Sequence, residues 1–130
     1  LKQSFKRAAQ LYELAAAQGH ALAQHVLGDC YVNGHGVKID HKTAAQWYRR
    51  AAEQGHPVAQ SKLGQLYFDG KGVAQSHDEA VWWYRLAAAQ GDRDALYSLG
   101  WCYEKGRGVP QDLGEAHRLY TLAAARGHAG

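Results

Sequence analysis

Apolar and small residues recur along the chain in two registers, and both have helical spacing. In residues 20–33, Ala23, Leu27 and Tyr31 fall at i, i+4 and i+8; in 41–54, Ala44, Tyr48, Ala51 and Ala52 mark a second apolar stripe. Both patterns return every 36 residues without insertion or deletion: Leu27-Gly28 as Leu63-Gly64 and Leu99-Gly100, and Tyr48 as Tyr84 and Tyr120. A fixed period of this length marks a repeat protein, in which each unit packs on its neighbours. The polar punctuation keeps the same period. Gly19, Gly55, Gly91 and Gly127 separate successive units, and Gly34, Gly70 and Gly106 close the first helix of each pair. Ser4, Asp40, Ser76 and Asp112 share the capping phase before the second helix, and Glu79 and Glu115 stand at capping-box spacing from the last two.

These signals predict seven helices, over about 5–18, 20–33, 41–54, 56–69, 77–90, 92–105 and 113–126. The fold class is all-α. Residues 1–130 form one repeat domain, divided into a half repeat at 1–18 and full-period units at 19–54, 55–90 and 91–126. Gly28, Gly64 and Gly100 lie inside helices, where glycine costs about 1 kcal/mol relative to alanine. Their recurrence predicts that a neighbouring helix backbone comes close there, with Tyr48, Tyr84 and Tyr120 reaching across.

Composition narrows the function classes. No apolar run approaches the 18 or so residues of a membrane span, so no membrane insertion is expected. The net charge of +3 comes from 15 basic and 12 acidic residues without a like-charge run, and Arg49 and Arg85 recur with the repeat as a solvated stripe. No nucleic-acid partner is expected. Cys30 and Cys102 share one phase, with Leu66 between them, which reads as an apolar packing position. They lie two repeats apart, hence several helix widths of ~8–10 Å, too far for a disulfide. The absence of methionine, with a first helix starting close to residue 1, predicts a fragment or a processed product.

Candidate chemistry is sparse. The Gly-x-Gly at 34–36, 70–72 and 106–108 lacks the third glycine and the preceding strand of a dinucleotide loop, and reads as a turn pinned by Val37, Val73 or Val109. His20, His56 and His128 share a phase but lie too far apart to converge on one ion. His25 and Asp29, at i and i+4, supply two ligands where a structural zinc takes four. No Ser-x-x-Lys, His-Glu-x-x-His, Cys-x-x-Cys or Gly-x-Ser-x-Gly occurs. No cofactor, metal or catalytic residue is expected, and the chain does not read as an enzyme.

The middle unit carries Ala59-Gln60, Leu63-Gly64, Tyr67, Gly70-Lys71-Gly72-Val73, Ala80, Trp83-Tyr84 and Ala87-Ala88-Ala89-Gln90-Gly91. These residues resemble the Sel1-like repeat family, relatives of the tetratricopeptide repeats. The resemblance covers nearly the whole chain; in the third unit the Gln becomes Leu96 and the Trp becomes Leu119. It implies a right-handed α/α solenoid acting as an adaptor for protein partners. Bacterial members are associated with signalling, envelope processes and host interaction; bacterial periplasm and cytoplasm both stay open as compartments. A cysteine-rich branch with one disulfide per repeat is linked to penicillin binding or β-lactamase activity, but Cys30 and Cys102 have no second cysteine in their own units. An envelope small-molecule binder or hydrolase, and a purely structural self-associating spacer, are the alternatives to the adaptor.

Tetratricopeptide-like proteins bind ligands on the concave side, with the first helix of each hairpin. The outward positions of those helices are Leu22, His25, Asp29, Val32 and Asn33; Val58, Ser61, Gln65, Phe68 and Asp69; and Asp94, Tyr97, Trp101, Glu104 and Lys105. They vary between units while the packing positions repeat. Phe68, Tyr97 and Trp101 are aromatics that packing does not require there, and aromatics are common at hot spots. The expected site is this stripe, holding a protein or peptide. Packing of these aromatics against adjacent helices is the competing explanation. Trp82, aligned with Gln46 and Arg118, is a lone aromatic on the outer helices. Apolar surface left at the two terminal helices leaves end-to-end self-association open.

Overall fold

The computed structural model describes residues 2–129, with side chains described for 4–127. Among these residues the chain forms seven helices and no strand: α1 Lys2–Ala17, α2 Ala21–Asn33, α3 His41–Glu53, α4 Pro57–Asp69, α5 His77–Ala89, α6 Arg93–Lys105 and α7 Leu113–Ala129. The main contacts run between helices consecutive in sequence, and they are densest inside the hairpins α2/α3, α4/α5 and α6/α7. The core is a row of three clusters rather than one centre. They gather around Ala16, Leu27 and Cys30, around Tyr48, Leu63 and Trp83, and around Tyr84, Leu99 and Leu119. This is an α/α solenoid. No helix among the described residues is long and apolar enough to cross a membrane.

The helix ends follow the punctuation. Asp40 accepts from Thr43 N at 3.1 Å, Ser76 from Glu79 N at 3.1 Å and Asp112 from Glu115 N at 3.0 Å, each satisfying a free amide of the first turn. Two details differ from expectation. Ser4 lies inside α1, which extends back to Lys2, so it caps nothing. Glu115 turns toward Arg118, with contacts of 2.9 and 2.6 Å, instead of reaching back to its own cap.

The intrahelical glycines seat a ring. A methyl group on Gly64 would lie 2.8 Å from Tyr84 Cε1 and 3.2 Å from Ala80 O. The expected close backbone is present as that carbonyl, but the tyrosine of the same hairpin fills most of the space. Tyr48 and Tyr84 are 1% and 2% exposed, so the cost of the glycine is offset by burial of a large ring. The turn after α4 uses a second glycine differently. Gly72 has φ +75, and a side chain there would run into the backbone of His41 at the start of α3. Val73 then packs against the core. The Gly-x-Gly is thus a docking turn between units.

A buried amide ties units together. Gln60, 4% exposed, donates from Nε2 to Ala52 O of α3 at 3.1 Å and accepts at Oε1 from Gln90 Nε2 at 3.0 Å. Gln24 repeats this with Ala16 O at 3.1 Å and Gln54 at 2.8 Å. In the third unit both side chains are exchanged together. Leu96 replaces the buried glutamine, and Arg126, aligned with Gln54 and Gln90, lies over Gly91 instead. Cys30 and Cys102 are free and buried, and burial pushes the Cys102 thiol up to about 11.

Candidate partner-binding surface

The first helices, α2, α4 and α6, present their outward positions on one shared face, and at α2 these positions form a polar node. His25 Nε2 lies 3.1 Å from Asp29 Oδ2, and Lys62 Nζ of α4 lies 3.2 Å from Asp29 Oδ1. The Tyr48 hydroxyl donates to the same carboxylate. Burial raises the Asp29 pKa, but the bonds from His25 and Tyr48 and the charge of Lys62 outweigh it and hold the carboxyl at about 2. On its other edge, His25 Nδ1 stands 3.4 Å from His56 Nε2. Burial, with the neighbouring His25, lowers the pKa of His56. Asp29 is therefore already satisfied from within the chain.

The face opens between α4 and α6. Gln65, Phe68, Asp69, Tyr97 and Trp101 surround a hollow of about 270 Å³, floored by Tyr84 and Cys102. Phe68 and Trp101 meet edge to face at 5.4 Å, and Phe68 also stacks on His77 at 4.4 Å. A wider groove of about 800 Å³ continues from it past Ser61, Lys62, Arg93 and Tyr120. The tyrosine under each first helix bonds to this face in a unit-specific way. Tyr84 donates to Gln65 Oε1 at 3.1 Å. In the third unit Trp101 occupies that acceptor's phase, and the Tyr120 hydroxyl donates to Glu104 Oε1 at 2.6 Å instead.

The expected stripe is thus divided. Gln65, Asp69, Tyr97, Asn33 and Lys105 are exposed, whereas His25, Asp29, Val32, Phe68, Trp101 and Glu104 are partly buried. Ser61 is only 9% exposed, although it lines the wider groove. Tyr97, at the same phase, is 60% exposed. Phe68 and Trp101 pack against the core cluster of the last two hairpins while still lining the hollow. Val32, Asn33, Glu104 and Lys105 lie outside both hollows. Lys62, Arg93 and Ser98 line the groove but were not among the expected positions. No local signal marks Lys62, which lies 33 residues from Asp29 and meets it only across α2 and α4. On the outer side, Trp82 is 53% exposed and stands edge-on to Trp83 at 4.6 Å.

Comparison with known proteins agrees with the solenoid fold. The chain matches the Sel1 repeat family in four consecutive stretches, 1–20, 21–56, 57–92 and 93–128. Among solved structures it is similar to c5321, described as a protective antigen present in uropathogenic Escherichia coli strains displaying an SLR fold. The two share 43% identity at TM-score 0.87, over 89% of this chain and 25% of that one. It is also similar to a Sel1 repeat protein from Oxalobacter formigenes, with 38% identity at TM-score 0.87, over 94% of this chain and 50% of that one. Helicobacter pylori cysteine rich protein B shares the fold, with 23% identity at TM-score 0.76, over 98% of this chain and 91% of that one. The chain therefore spans a quarter to a half of the length of its first two structural relatives. No curated protein sequence matches it.

Proposed function

This chain belongs to the Sel1 repeat family, in general a family of protein–protein interaction scaffolds, and on that premise we propose that it binds a protein or peptide on the face shared by α2, α4 and α6. The observation that carries this reading is the gathering of Gln65, Phe68, Asp69, Tyr97 and Trp101 around one hollow, at positions that differ from unit to unit. Most residues that hold the fold repeat with the period; these do not. A solenoid face of this kind offers an extended surface with aromatic anchors.

The test is affinity capture from native lysate with the wild-type chain beside a Gln65→Ala/Tyr97→Ala variant. Both side chains are exposed, so circular dichroism should show unchanged helix content. The expected result is a partner held by the wild type and lost by the variant. Equal capture by both would remove the site from this face and direct attention to Trp82 on the outer helices.

A further inference from the structure

We infer that the hollow between α4 and α6 receives an arginine side chain from the bound partner; this rests on the scaffold reading above and specifies the chemistry of its anchor. At about 270 Å³ the hollow falls below the roughly 300 Å³ at which drug-sized ligand pockets begin, and suits a single side chain. Three of its walls are the rings of Phe68, Tyr97 and Trp101, and a fourth ring, Tyr84, lies beneath. Aromatic faces carry negative potential and attract cations.

The remaining charge points the same way. Asp69 lines the hollow and is exposed. Its carboxylate accepts a side-chain bond from Gln65 Nε2 at 3.0 Å, which leaves most of its acceptor capacity open. No lysine or arginine lines the hollow among the described residues. Lys62 and Arg93 line the adjoining groove, and Lys62 is already held by Asp29. An apolar side chain entering here would strip water from Asp69 and give nothing back. An ammonium would satisfy the charge as a point. A guanidinium does more, because its plane stacks on a ring while its edge donates two bonds to one carboxylate.

The test uses two capped tripeptides, acetyl-Gly-Arg-Gly-amide and the counterpart with citrulline, which keeps the shape and removes the charge. Binding is read from the indole N–H resonance of Trp101, assigned with a Trp101→Phe variant. The expected result is a saturable shift of that resonance, with the arginine peptide bound about tenfold more tightly than the citrulline one. Asp69→Asn should bring arginine down to the citrulline level, and being exposed it should leave the fold intact. Equal binding of both peptides, indifference to Asp69→Asn, or no shift of Trp101 would each overturn the inference. Those outcomes leave the scaffold reading standing if capture still depends on Gln65 and Tyr97. Failure of the capture result with arginine binding intact would remove the scaffold reading, and with it the partner as the source of the arginine.

Discussion

Asp29 shows how a single side chain in this protein serves two neighbours at once. Burial raises its pKa, yet the bonds from His25 and Tyr48 and the charge of Lys62 more than reverse that, from 3.8 to about 2. Its folded-state pKa is depressed, so its contribution to stability is fully present above about pH 4 and is lost as pH falls toward 2. Removing the Tyr48 hydroxyl by Tyr48→Phe should move the Asp29 midpoint up toward 3.8, measured by NMR titration of its carboxyl carbon, so that the acid loss of stability still begins near pH 4 but is smaller and complete at higher pH. At this scale the sequence was only half legible. The i, i+4 spacing of His25 and Asp29 placed them together, but Lys62 lies 33 residues on and meets them only once α2 and α4 are side by side. Nothing in the phase that Tyr97 and Ser61 share foretells that one is exposed and the other buried.

Helix pairs were far easier to read than side-chain meetings, because a period of 36 states the same answer several times over. Caps, glycine stops and the two apolar stripes each point to the same boundaries, and local signals that agree with one another specify a fold well. What the pattern hid is the role of the buried glutamine. Gln60 is a polar residue on an apolar helix face, and nothing local to it names Ala52 O or Gln90 as its partners. Gln60→Leu should destabilise the chain by about 1 kcal/mol in urea unfolding monitored by circular dichroism, because it removes two bonds while Ala52 O keeps the one from Gly55 N and Gln90 Nε2 keeps its contact with Leu86 O. Adding Gln90→Arg reproduces the pair found in the third unit, Leu96 with Arg126, and should recover part of that loss. Full additivity of the two substitutions would show that the pair is not coupled.

Stability along the whole molecule is a sum over neighbours, so the helices with one neighbour are held least. α1 packs on α2 and on the turn after it, where His35 stacks on Phe5, and it exposes Leu11 by 58% and Tyr12 by 38%, whereas Trp83 and Tyr84 at the same phases are buried. Amide hydrogen exchange should therefore be fastest in α1 and slowest in α4 and α5; uniform protection along the chain would contradict the additive picture. The glutamine pairing carries a last consequence, for where such a chain can be cut and rejoined. Gln60 and Gln90 both lie within one hairpin, as do Leu96 and Arg126, and the third group in each glutamine bond is a backbone carbonyl that any preceding unit supplies. A splice at the Gly55 and Gly91 turns moves each pairing whole, like a cartridge that brings its own latch, whereas a splice inside the Gly70 turn parts the latch from its catch.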